Sequence, residues 1–248
     1  MPSITKIEWT NVTWNPVTGC EKVSSGCRNC YALRFAKRLQ AAGNVRYANG
    51  SGVTLHWDLL RAPLRWRKPR LVFVNSMSDL FHDAVPTGFI REVLKTAAEA
   101  DRHTFQILTK RTERLAALAP ELPWPPNVWM GVSIENEECL GRIKALRAVP
   151  AALRFVSIEP LLGPLTKLDL VGIDWVIVGG ESGPGARPMK PEWAVNIRDA
   201  CVARGTPFFF KQWGGVRKKA AGRLLEGRLW EEIPGQPSNQ PAGGGPGV

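Results

Sequence analysis

The chain is predicted to be α/β, a partial TIM-type barrel of six or seven βα units in a single domain. Three observations predict it. Short apolar runs rich in β-branched residues recur along the sequence, helical patterns separate them, and nearly every run ends in a polar group. Near-continuous hydrophobicity marks strands covered on both faces, as in a parallel sheet, and strand–helix alternation marks βαβ units. About seven strands are too few for a closed eightfold barrel and suit an open one; a doubly wound sheet is the main competitor.

The elements follow in order. A first strand is expected near Val12–Val17, and a helix from about Arg28 to Ala41. Further strands are expected at Leu71–Met77, Thr104–Thr109, Val128–Ile134, Leu153–Ile158, Trp175–Val178 and Pro207–Lys211. Phe89, Ile90, Val93, Leu94 and Ala97 share one face of a helix over Thr87–Ala100. Asn136 is placed to cap a helix carrying Leu140, Ile143 and Leu146, with Pro150 beyond it. Pro191 opens another, which Gly205 closes.

One domain is expected over residues 1–232. Within it, 44–69 is too long for a βα connection and reads as a lid, a partner-contacting insertion or a poorly ordered loop. The Pro/Gly-rich tail 233–248 is expected to be disordered. No apolar run approaches the ~20 residues of a membrane helix, and the N-terminus has no basic-then-apolar leader, so the chain reads as cytoplasmic.

The net charge of +11 favours a polyanionic partner, nucleic acid or a nucleotide first. Arg61, Arg65, Arg67, Lys68 and Arg70 surround Trp66; Lys211, Arg217, Lys218, Lys219, Arg223 and Arg228 lie near Trp213. Basic groups interleaved with aromatics suit backbone charge plus base stacking. Trp14, Trp66 and Trp213 are the candidates for a binding surface; Trp129 and Trp175 fall in strands and read as core.

Three of the five cysteines, Cys20, Cys27 and Cys30, lie within eleven residues, six residues separating the first two and two the last. In a reducing compartment this is a metal motif, not a disulfide framework. The short second spacing lets two thiolates converge from one turn, and Cys20 returns from a loop with Gly19, Ser24, Ser25 and Gly26. Three thiolates satisfy three irons of a [4Fe–4S] cube and leave one open. A zinc site completed by His56 or His82 fits the spacing equally. Cys139 and Cys201 read as small buried hydrophobes.

Strand ends deliver Asn75, Ser76 and Asp79; Thr109, Lys110 and Arg111; Ser133 and Glu135; Ser157 and Glu159; Gly180, Glu181 and Ser182; Lys211 and Gln212. In a barrel these converge on the face that carries the site. Asp79 and His82, three apart, suit an acid/base pair or a structural bond.

Trp14-Asn15-Pro16-Val17-Thr18-Gly19-Cys20 and Gly26-Cys27-Arg28-Asn29-Cys30-Tyr31-Ala32 resemble the signature of a phage-associated family of unknown function related to the radical S-adenosylmethionine (SAM) enzymes. The likeness continues through Phe73–His82, Ile107–Arg111, Gly131–Glu135, Glu159–Pro164, Val178–Gly183 and Phe210–Gly214. Radical SAM enzymes usually have a shorter first cysteine spacing. The resemblance implies a radical SAM-like fold and a [4Fe–4S] cluster on Cys20, Cys27 and Cys30 that cleaves SAM to start radical chemistry. The catalytic candidates are Lys110, Glu135 and Glu159. The cofactor-binding candidates are Asn75, Ser76, Ser133, Gly179, Gly180, Glu181 and Lys211. It also implies a protein partner encoded nearby. The rival classes are a zinc-bearing nucleic-acid-binding module without catalysis and a phage-related partner protein whose cluster is structural.

Overall fold

The computed structural model describes residues 3–217 and 220–236. Ten strands are assigned among them: β1 Ser3–Ile4, β2 Val12–Trp14, β3 Val17–Thr18, β4 Thr54–Leu55, β5 Leu71–Val74, β6 Thr104–Thr109, β7 Val128–Ser133, β8 Leu153–Ile158, β9 Trp175–Gly179 and β10 Phe208–Gln212. The α-helices are α1 Tyr31–Ala41, α2 Thr87–Glu99, α3 Thr112–Leu118, α4 Gly141–Arg147 and α5 Pro191–Arg204.

The main sheet runs β1-β2-β5-β6-β7-β8-β9-β10, antiparallel only between β1 and β2. Each crossover moves to the next neighbour and the order never reverses. A doubly wound sheet needs such a reversal, whereas a barrel wall does not, so the fold is a partial β/α barrel of seven parallel strands. Alternation along the strands divides two cores. Val74, Ile107, Val132, Val156, Val176 and Phe208 face outward and pack with Phe89, Ile90 and Leu94 of α2 and Ile197 of α5. Phe73, Phe155, Ile177 and Phe209 face inward and close with Trp9 and Trp175 into an aromatic floor. Gly131 makes room for it, since a Cβ there would lie 2.5 Å from the Phe155 ring.

Local chemistry accounts for most boundaries. Pro191 occupies the first turn of α5, and Gly205 ends it in the left-handed region at φ +66. Helix α1 starts at Tyr31, not Arg28, because the cysteine loop winds as a short 3-10 turn and Cys30 sits at the helix cap. Helix α3 has no counterpart among the expected elements; it is short and buries only Leu115. Asn136 makes no side-chain capping bond, and its segment is a 3-10 turn leading into α4.

Segment 44–69 is a strap. Its β4 pairs with β3, His56 bonds Thr18 at 2.8 Å, and Leu60, Pro63 and Trp66 are buried. Trp14 and Trp66, expected at a binding surface, belong to the outer core instead. The Trp14 indole donates to the Leu59 carbonyl, and Trp66 packs beside His103. Residues after β10 fold back over it. Trp230 lies on Phe208, and Glu232 accepts from the Phe208 backbone and, through its carbonyl, from Trp175. Of the tail expected to be disordered, 237–248 lies outside the described residues. No described helix is long and apolar enough to cross a membrane.

Candidate metal centre and cavity

Above the aromatic floor the inward positions turn polar, and a cavity of about 680 Å³ opens there. Cys20, Cys27 and Cys30 line it together with Asn75, Ser76, Lys110, Ser133, Glu159, Gly180, Glu181 and Lys211. These strand ends converge because each parallel strand terminates on the same rim. Among the expected site residues, Glu135 and Gly179 sit behind the wall. Glu135 is fully buried, and a Cβ on Gly179 would meet the Glu159 carboxylate at 2.5 Å.

Cys20 follows Gly19, which pairs with Ser78 at the end of the β5 loop, and Cys20 N–H donates to the Ser51 carbonyl. Burial and the Asp79 carboxylate push its thiol up to about 11, against the pull of Arg111, whose Nη1 lies 3.8 Å from Sγ. A metal there must displace that proton. Cys27 and Cys30 are joined by backbone bonds, Cys27 N–H to Ser24 and Cys30 N–H to Cys27. The three thiols line one cavity without three His, Cys, Asp or Glu groups converging on a single ion among the described residues.

Two buried carboxylates hold this loop from opposite sides. Glu135 accepts from Ser24 (2.7 Å), Cys139 (2.8 Å), Lys110 (2.7 Å) and Arg142 (2.9 Å). Burial works to raise its pKa, but Lys110, Cys139 and Arg142 outweigh burial and bring it to about 2. Gly26 lies against it; a Cβ there would fall 2.3 Å from the Glu135 side chain. Glu181 takes Arg187 in a two-toothed pair (2.6 and 2.8 Å) and accepts from Asn29, between Cys27 and Cys30, at 3.0 Å. Burial again opposes, but Arg187 and Asn29 bring Glu181 to about 2. Arg187 also reaches the Ser25 carbonyl. Both acids therefore position the cysteine loop and are saturated by protein partners.

Glu159 differs. It lines the cavity, and among the described residues only Lys211 (3.1 Å) and Ser157 (3.2 Å) bond its carboxylate. Asn75 is held at φ +61, its Oδ1 accepting from Val17 N–H, while its buried Nδ2 has no partner. Gln212 Oε1, also on the wall, is buried without a partner. Both residues line the cavity, although these two atoms are themselves shielded from solvent. Ser76 is engaged, its hydroxyl on Asn15 and its carbonyl on Tyr31.

Other expectations resolve differently. Asp79 bonds Thr109, Phe81 N–H and Lys110 N–H, whereas His82 Nδ1 accepts from Ala84 N–H; the two do not form a side-chain pair. His56 and His82 both lie off the cavity lining. Cys201 is fully buried, but Cys139 is only half-buried and donates to Glu135. Sequence reasoning did not assign Asn29, Arg142 or Arg187 to the site. Asn29 lies inside the cysteine motif and was within reach of it; the two arginines have no local signal.

Solved structures of spore photoproduct lyase are similar in chain course. A mutant with bound AdoMet and dinucleoside spore photoproduct aligns at TM-score 0.47 and 14% identity over 72% of this chain and 58% of that one. Another mutant aligns at TM-score 0.49 and 13% identity over 73% and 58%. The chain thus spans less than two thirds of those structures. No curated protein matches the sequence. Residues 4–234 match a family described as protein of unknown function, DUF5131, and the chain belongs to that family.

Proposed function

We propose that the chain is a radical SAM-like enzyme, its [4Fe–4S] cluster held by Cys20, Cys27 and Cys30, acting on a nucleic acid or nucleotide. The observation that carries this reading is the cavity itself. Three thiols line it together with an under-bonded carboxylate, Glu159. A cube meets three thiolates through three separate irons, so it needs no common ion-sized point. A zinc site needs a fourth ligand; His56 Nε2 bonds Thr18, and neither candidate histidine lines the cavity, although His82 Nε2 is left without a hydrogen bond among the described residues. At about 680 Å³ the cavity lies within the usual range for ligand sites, about 300–1,000 Å³.

When bound, the cluster and SAM would supply the electron and the radical that start the reaction. The chain's own residues do the rest. Glu159 and Lys211 offer SAM's amino and carboxylate groups opposite charges on one wall. Gly180 lets the wall itself pack closely, since a Cβ there would lie 1.9 Å from the Trp213 carbonyl. The aromatic floor excludes water from below.

The test is anaerobic reconstitution with iron and sulfide. About four irons and four sulfides per chain, absent from a Cys20→Ala/Cys27→Ala/Cys30→Ala variant, support the reading. A colourless protein holding one zinc, or one that binds no SAM after reconstitution, sinks it.

A further inference from the structure

The basic clusters around Trp66 and Trp213 do not form stacking surfaces. Trp66 is buried, Arg61 pairs with Glu99, Arg223 pairs with Glu231, and the Trp213 indole donates to the Leu224 carbonyl. Lys218 and Lys219 lie outside the described residues. A different surface carries the combination. From Lys22 to Trp57 the chain has no carboxylate and six basic residues, Lys22, Arg28, Arg34, Lys37, Arg38 and Arg46. Of these, only Arg46 has an ion-pair partner among the described residues.

Helix α1 sits at the centre of that segment. Its buried side is Ala32 and Ala36. Tyr31 and Phe35, four apart, are 54% and 46% exposed, yet both line the mouth of the cysteine cavity, as does Val23 at 46%. At that spacing their Cβ atoms lie about 6 Å apart on one face. Arg34 and Arg38 fall beside them at the same helical spacing. The Tyr31 hydroxyl donates to the Ser76 carbonyl at 2.7 Å, which pins the ring.

Exposed aromatic rings among unpaired cations match one chemistry closely: phosphates on the cations and unstacked bases on the rings. A duplex buries its base faces and cannot use them. We infer that the α1 face binds an unpaired stretch of nucleic acid and delivers a base from it into the cysteine cavity. The inference rests on the proposed metal centre for what happens to that base, but not for the binding.

The experiment measures binding of a fluorescent single-stranded oligothymidylate to the full chain as salt is varied, beside the same length of duplex. The single strand binds more tightly. Phe35→Ala weakens it about tenfold, Phe35→Trp restores it, and Tyr31→Phe, which keeps the ring but loses the bond that pins it, weakens it less than Tyr31→Ala. Lys37→Gln/Arg38→Gln lowers the slope of log affinity against log salt by about 0.7 for each phosphate no longer neutralised. Iron and sulfide contents of the Phe35→Ala protein stay at the unsubstituted level. No binding at low salt, duplex preferred over single strand, or indifference to Phe35 overturns the inference. So does Phe35-dependent capture of anionic vesicles or acidic peptides with the oligonucleotide excluded. If the oligonucleotide pattern holds while the reconstituted protein carries no cluster, the metal-centre reading alone falls.

Discussion

The lower and upper halves of the barrel interior are built by the same strands and behave as different materials. On β8, Phe155 belongs to the aromatic floor, Ser157 lines the cavity, and Glu159, just past the strand, carries an open carboxylate. On β5, Phe73 and Asn75 make the same change in one step. The floor gains stability from burial of large rings, whereas the rim places charges where burial opposes them and offsets that cost with ion pairs. The rim is itself divided. Glu135 and Glu181 are saturated and hold the cysteine loop; Glu159, Asn75 and Gln212 retain unused bonding capacity. Loop positioning and free bonding capacity therefore reside on different residues of one rim.

Substitutions should separate these roles. The largest expected effect is Trp175→Ala, which opens a cavity under Trp9, Phe155 and Phe209 and costs about 4 kcal/mol by denaturant titration. Iron per folded molecule should not change; a stripped centre at unchanged stability would break the comparison. Glu135→Gln leaves Lys110 and Arg142 short of their charge partner and should cost about 3 kcal/mol.

It should also alter the acid limb of stability. Glu135 and Glu181 have folded pKa values lowered to about 2 from 4.5, so their stabilisation is present above about pH 4.5 and is lost as pH falls toward 2. The unsubstituted protein should lose stability across that window, and Glu135→Gln should flatten the loss. An identical acid profile in both proteins would show that Glu135 is not held ionised by its neighbours.

Gly26→Ala drives a Cβ into the Glu135 side chain and should cost about 1–3 kcal/mol while lowering iron content by shifting the cysteine loop. Full iron loading in that variant would mean the clasp does not set the loop. The smallest effect on stability, about 1 kcal/mol, is expected for Glu159→Gln, a residue with few protein bonds. The same variant should weaken SAM binding in equilibrium titration. Unchanged binding would remove Glu159 from the site and leave the two halves of the rim alike.

Much of the frame was legible because it rests on local pattern. The strands Thr104–Thr109 and Leu153–Ile158 and the helix opened by Pro191 and closed by Gly205 are set by period, length and terminal residues. Helix α3 was not, since one buried leucine produces no apolar stripe. Trp14 and Trp66 were misplaced for a related reason. Basic neighbours suggest a surface, but a strap folded over the outer core buries the rings while the cations remain outside.

By itself the sequence put three thiols into one short segment, two on one turn and the third on the loop leading into it. It also determined that polar strand ends would gather on one rim, because parallel strands share a direction. Only the tertiary structure decided which of those polar groups remain available. Ser24 reaches Glu135 across 111 residues and Asn29 reaches Glu181 across 152, and no local pattern encodes such partners. A carboxylate's role depends on which groups already bond it, and here that is fixed by neighbours far away in the chain.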